Sequence, residues 1–245
     1  MIEELLPAPV AAAEAFDDPE AALKGLYPQE EAAIALAVPD RRSEFATARW
    51  CARRAMGALG LPPVPLLSST RGAPQWPVGV VGSMTHCAGY RAAAVSRSAD
   101  FMALGIDAEP NGPLPAGILE VISLERERAW VRALGSARRQ VHWDRVLFSA
   151  KESVFKVWYP LTRRELDFNE AEIEIEPDAG TFSARLLVPA PEVAGNALEA
   201  IAGRWMCRED LVITAIALHR PAGQRPWTHR SSSAHAFPGS SSPPT

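Results

Sequence analysis

Apolar residues recur at helical spacing across residues 28–60, where Phe45, Ala48, Ala52, Ala55 and Leu59 fall on one side of the repeat. The pattern predicts a helix, interrupted at Pro39-Asp40 because proline removes a backbone donor and crowds the preceding turn, and closed by Gly60. Pro62, Pro63 and Pro65 then impose an extended connection that runs to about residue 77. Short apolar runs at 78–82, 91–96 and 101–108, bounded by Gly, Ser and Thr, predict strands, with residues 83–89 as the connection between the first two. Residues 125–134 and 141–159 return to helical spacing, and 172–176, 181–188, 205–208 and 211–218 read as further strands. The mixture predicts an α/β (α+β) architecture and not a helical bundle. From residue 221 the chain turns to Pro, Gly, Ser, Arg and His, too poor in apolar surface to offset ordering entropy, so 221–245 is expected to be a flexible tail.

Composition narrows the picture. The 245 residues are 47% hydrophobic, enough to bury one large core or two smaller packed ones. No apolar run approaches the ~18 residues of a membrane span, and Glu3 and Glu4 stand where a signal peptide carries basic residues, so a soluble cytoplasmic protein without a membrane partner is expected. Cys51, Cys87 and Cys207 lie far apart without metal-finger spacing and read as reduced thiols. Cys87 follows His86, but sequence neighbours point in different directions, so no catalytic pair is expected. The net charge of −4 disfavours a nucleic-acid partner, which calls for a basic face.

Candidate chemistry centres on three acids. In the strand predicted for 101–108, Asp107 and Glu109 project from one face about 6.6 Å apart along the chain. Two carboxylates side by side repel unless a cation or donor sits between them, which suits Mg²⁺; a solvated strand end is the alternative. The third acid, Glu152, lies opposite the stripe Leu147, Ala150, Val154, Val157 and Trp158, one turn before Lys156. Phe148 and Phe155 flank it, so this face is expected to line a cleft and not to carry a bare surface ion pair. The segment 82–89 is rich in small residues whose amides and hydroxyls, with His86, suit an anion. Arg41, Arg42, Arg49, Arg53 and Arg54 crowd one helix, and guanidinium forks suit phosphate.

Together, the segments Arg41-x7-Arg49-x3-Arg53, 71–77 leading into 82–90, 105–110 and 148–156 resemble the Sfp-type 4′-phosphopantetheinyl transferases of the siderophore, polyketide and actinobacterial fatty-acid branch. The likeness spans about residues 28–218, with separate motifs in the family's order. It implies two similar α/β halves packed in a pseudo-two-fold arrangement, 1–104 and 105–220, with coenzyme A between them. It also implies transfer of phosphopantetheine to a serine of an acyl or peptidyl carrier protein, with release of 3′,5′-ADP. Asp107, Glu109 and Glu152 would hold Mg²⁺, or Mn²⁺, and Lys156 would meet the pyrophosphate. Thr85 and His86 would touch phosphate, while Arg41, Arg49, Arg71 and Arg53 would surround the 3′-phosphate and adenine end. Glu152 is also the expected base for the serine proton, and the chain is expected to act as a monomer. Phe148 replaces a tryptophan common in the family. Read from the residues alone, a metal-dependent phosphoesterase or nuclease, and a non-catalytic nucleotide-binding module, remain as alternatives.

Overall fold

In the computed structural model, which describes residues 1–69, 72–193 and 195–220, the chain forms two main antiparallel sheets, each covered on one face by a helix of 20 residues. A 3-10 turn at Ile2–Leu5 precedes β1 (Ala11–Ala15), α1 (Glu20–Lys24), α2 (Pro28–Ala33) and the long α3 (Pro39–Ala58). The hairpin β2 (Val80–Cys87) and β3 (Tyr90–Arg97) follows, and β1 joins the free edge of β3 to give the order β1-β3-β2. The second sheet begins with β4 (Phe101–Pro110). Helices α4 (Ile118–Ile122), α5 (Glu125–Ala137) and α6 (Trp143–Thr162) come next. They are followed by β5 (Ala171–Glu176), β6 (Thr181–Leu186), the two-residue strands β7 (Glu192–Val193) and β8 (Asn196–Ala197), β9 (Ala200–Arg208) and β10 (Leu211–His219). The order in this sheet is β4-β10-β9-β6-β5. The position between residues 104 and 105, expected as the junction of the halves, falls inside β4. The expected tail, 221–245, lies outside the described residues.

The helix expected to run to the break at Pro39-Asp40 ends already at Ala33, and Pro39 opens the next one, where its missing donor costs nothing. Two further elements differ from the sequence expectation. Residues 83–87 are strand and not connection: each pairs with β3, from Ser83 opposite Ala94 to Cys87 opposite Tyr90, and the turn is only Ala88-Gly89. Gly89 has φ 74°, a left-handed conformation that glycine adopts without steric cost. Small polar residues imitate a loop in sequence, and here their hydroxyls find partners in β4, as shown below. The Ala-rich β1 carries no strand signal of its own; its pairing with β3, Ala11 opposite Val95 to Ala15 opposite Arg91, overrides local propensity.

Strand alternation divides the core into layers. Ala93 and Val95 of β3 pack under α3 with Cys51, Ala52, Ala55 and Met56. Tyr90, Ala92 and Ala94 face the other way, into a core shared with Leu104, Ile106 and Ala108 of β4 and with Ile213 and Ala215 of β10. The opposite face of the second sheet meets α6 through Val146, Leu147, Ala150, Val154, Val157 and Trp158. The molecule is thus layered helix, sheet, shared core, sheet, helix. Odd-numbered residues of β4 from 103 to 109 therefore lie on the α6 side.

Gly105 lets α6 approach this closely. A Cβ built there would lie 2.2 Å from the carbonyl oxygen of Ser153 and 2.8 Å from Val157 Cγ2. Behind it, Thr214, opposite Asp107 in the register of β10, bonds through Oγ1 to Ser149 Oγ at 3.0 Å and Ser153 Oγ at 2.6 Å. A buried ion pair anchors the same helix from its other side: Lys151 Nζ donates to Glu127 Oε2 at 2.8 Å and to the carbonyls of Phe168 and Ala171. Glu127 in turn accepts from the backbone of Leu124 and Ile173, so the pair is satisfied on every side.

Candidate active site

Because α6 lies across β4, the acids expected at the site are neighbours. Lys156 reaches back from α6 and donates to the carbonyl of Ile106 at 3.0 Å and to Asp107 Oδ1 at 2.7 Å. Asp107 is buried, and its Oδ1 also lies 3.2 Å from the hydroxyl of Thr85. Its second oxygen, Oδ2, is buried and has no hydrogen-bond partner among the described residues. Glu152 sits close enough for Asp107 to act on it: burial, opposed in part by Lys156 and reinforced by Asp107, raises its carboxyl above the ordinary range. Glu109 is pushed up to about 7 by burial and by Asp107, and it is held by Arg145, whose Nη1 donates to Oε2 at 2.9 Å. Arg145 also ties down the carbonyls of Gly112 and Pro113.

Carboxylate oxygens are the donors that a hard divalent cation takes. Two desolvated carboxylates, Glu109 and Glu152, whose proton affinity the Asp107 charge helps to raise, gain from a small oxygen-seeking ion beside the orphaned buried oxygen of Asp107. Among the described residues, no group of three or more His, Cys, Asp or Glu side chains stands ready to hold such an ion. Asp107 is paired with Lys156, and Glu109 with Arg145.

The basic residues separate into two groups. Arg41 Nη1 lies 2.5 Å from His86 Nε2, and Glu44 bridges the pair, 3.2 Å from Arg41 and 3.4 Å from His86 Nδ1. Burial and the adjacent Arg41 charge lower the imidazole's proton affinity, which Glu44 partly restores. Arg41 is exposed at the rim, and the His86 side chain is 37% open there and covered on its other side. Arg49 is buried instead: its Nε donates to the carbonyl of Leu66 at 3.1 Å and its Nη2 to Ser68 at 3.0 Å, with the guanidinium 3.3 Å above the Phe45 ring. Burial pulls its proton affinity down to about 10, leaving it charged at neutral pH. Arg53 grips the wholly buried Glu30 through Nη1 and donates to the carbonyl of Gly25 through Nη2. The donors of Arg49 and Arg53 thus hold the loops that flank α3. Arg71 lies outside the described residues.

Thr85 and His86, both expected to touch phosphate, point to opposite faces of β2. Even-numbered Val80, Met84 and His86 lie toward α3, whereas Ser83 and Thr85 face β4. Phe148 stacks on Phe168 at 5.9 Å, so the residue that departs from the family pattern is anchored in the fold beside the acids.

Comparison with known proteins decides the family. The model of the 4′-phosphopantetheinyl transferase N-terminal domain matches residues 29–96, and that of the 4′-phosphopantetheinyl transferase superfamily matches residues 103–215. The chain is 61% identical over 224 residues to the 4′-phosphopantetheinyl transferase Svp of Streptomyces mobaraensis, covering 91% of each chain. The chain belongs to the 4′-phosphopantetheinyl transferase superfamily. Two further transferases extend the likeness: Npt of Nocardia iowensis, 49% identical over 89% of this chain and 99% of its own, and PptT of Mycobacterium tuberculosis (strain ATCC 25618 / H37Rv), 46% identical over 89% and 98%. The two matched segments follow the two sheets, the first ending within β3 and the second beginning within β4. As a phosphopantetheinyl transferase it is an enzyme that moves phosphopantetheine from coenzyme A to a carrier protein.

Sequence reasoning passed over several residues of this site. Glu44 and Arg145 carry no signal along the chain, because their partners His86 and Glu109 are 42 and 36 positions away. Ser83 carried no signal beyond a small-residue turn. Gly105 was visible only as the first letter of a motif, and the helix that needs its missing side chain lies about 50 residues downstream.

Proposed function

We propose that this transferase carries out its reaction at the junction of β4 and α6, using Mg²⁺, with Mn²⁺ as a substitute. Asp107 and Glu152 would hold the cation, with Glu109 joining once released from Arg145. The cation would supply charge neutralisation of the pyrophosphate and of charge developing on it. The observation that carries this reading is Asp107 Oδ2, a buried carboxylate oxygen left without a partner beside two desolvated acids.

The serine hydroxyl of the carrier protein attacks the phosphorus on the pantetheine side of coenzyme A. The bond from that phosphorus to the bridging oxygen breaks, and 3′,5′-ADP leaves. Glu152, whose proton affinity is raised by burial, accepts the serine proton, a role worth about 10²–10⁴-fold in rate. Lys156 contributes positive charge to the phosphates. Arg41 and His86, exposed together at the end of α3 and β2, form the pair best suited to a terminal phosphate such as the 3′-phosphate of coenzyme A. Arg49 and Arg53 serve that end indirectly, by fixing the segments around Leu66 and Gly25.

For the carrier we propose the rim formed by α4, where Ile118 and Val121 are exposed beside Arg126; an apolar and basic edge suits an acidic helical domain. No described helix is long and apolar enough to cross a membrane.

The reaction is tested by mass spectrometry of an apo-carrier protein incubated with the enzyme, coenzyme A and Mg²⁺. A phosphopantetheine mass increase that chelator abolishes is expected. An increase that persists in chelator removes the cation from the scheme.

A further inference from the structure

Thr85 turns its hydroxyl toward β4. The residue is 3% exposed, and its side chain lies on the face of β2 turned away from His86. Both of its partners are in β4: the Ala108 N–H donates to Oγ1 at 3.1 Å, and Oγ1 lies 3.2 Å from Asp107 Oδ1. A hydroxyl carries one proton, and an amide N–H can only donate, so the threonine proton is left for the carboxylate. Lys156 supplies a second donor to the same oxygen at 2.7 Å. Two donors on one oxygen, from β2 and from α6, fix the plane of the carboxylate and leave the lone pairs of buried Oδ2 unused.

We propose that Thr85 is a positioning residue for Asp107: by donating to Oδ1 it reserves Oδ2 for the divalent cation. The inference rests on the reading of Asp107 as a cation ligand. It adds a coupling between the two sheets, because Thr85 belongs to the first and Asp107 to the second. Outer hydrogen bonds of this kind orient ligating carboxylates, and their loss costs about 10- to 100-fold in metal affinity.

Ser83 provides the control. Two residues earlier on the same face, its Oγ accepts from the Ile106 N–H at 3.1 Å. It closes the same seam between the sheets, and its described bond is to backbone and not to an acid.

The test is Mn²⁺ binding to the full chain, followed by the electron paramagnetic resonance signal of the free ion and by Mg²⁺ competition. Thr85→Val is expected to weaken Mn²⁺ binding about 10- to 100-fold, while Thr85→Ser, which keeps the hydroxyl, stays within about twofold of the unchanged protein. Ser83→Ala is expected to lower the Tm but to leave Mn²⁺ affinity unchanged. Asp107→Asn separates the layers of the argument. If it abolishes binding while Thr85→Val binds normally, the positioning role is overturned and the cation site stands. If Asp107→Asn itself binds normally, the cation site falls. Equal weakening by Ser83→Ala and Thr85→Val overturns the proposal in favour of general loosening of the seam. Should Thr85→Val fail to fold, Thr85→Cys, similar in size but a weak donor, takes its place under the same criteria.

Discussion

The helices α3 and α6 are both 20 residues long and both lie on an antiparallel sheet, yet they use their charges differently. On α3 the buried charges are satisfied by neighbouring loops: Arg49 by Leu66 and Ser68, Arg53 by Glu30 and Gly25. On α6, Lys156 crosses to β4, and Glu152 remains a desolvated acid beside Asp107. An abundance of charge on a helix therefore does not mark a reacting centre. What marks it is charge whose compensation inside the fold is incomplete, as at Asp107 Oδ2.

The contrast is broken most severely on the α6 side. Glu152→Gln is expected to reduce transfer about 10²–10⁴-fold with an unchanged circular dichroism spectrum. Comparable turnover by this variant, measured by carrier mass, would remove Glu152 as base. Next come the two buried ion pairs, where the halves should behave alike. Lys151→Met strands Glu127, and Arg53→Met strands Glu30, each costing about 3–5 kcal/mol in urea unfolding because a buried carboxylate loses its cation. A coenzyme A KM that rises sharply in Arg53→Met, with unfolding unaffected, would place that arginine on the ligand and not in the scaffold.

Gly105→Ala tests how closely the second half must pack. Its methyl group meets the Ser153 carbonyl, so a loss of about 1–3 kcal/mol is expected, with transfer falling as α6 is displaced from Asp107. Arg41→Ala should raise the KM for coenzyme A about tenfold, or about 1.4 kcal/mol, and leave that for dephospho-coenzyme A unchanged. Equal changes for both would exclude contact with the 3′-phosphate.

The smallest effect concerns His86. Its folded-state proton affinity is lowered by burial and by Arg41, so the unfolded chain binds the proton more readily. The associated stability is present above the unfolded value of about 6.5 and is lost as pH falls through the lower folded value. His86→Gln should flatten the decline of Tm on the acid side, and an unaltered slope would show that the ring's surroundings do not tune it.

Much of this was legible along the chain. The helix stripe Ala48, Ala52 and Ala55 and the stripe Leu147, Ala150, Val154 and Val157 lie where periodicity places them, whereas the break expected at Pro39 falls at residues 34–38 and Pro39 instead opens α3. The pair Asp107 and Glu109 shares a face because strand side chains alternate. The strand at 83–87 was not legible, since Ser and Thr read as loop formers until β4 is present to receive their hydroxyls. Nor was the division of labour among the arginines, because Glu30 and Leu66 are 23 and 17 residues from their partners.

By itself, then, the sequence determined the elements, the stripes that bury them and the acids available for chemistry, because these follow from spacing within one helix or strand. Only the tertiary structure decided which charges are neutralised and which oxygen is left unpaired. Those outcomes depend on distances between segments far apart in the chain, 50 residues for Lys156 and Ile106 and 204 for Arg208 and Glu4, and interactions among charges and hydrogen-bond donors fall away within a few ångströms.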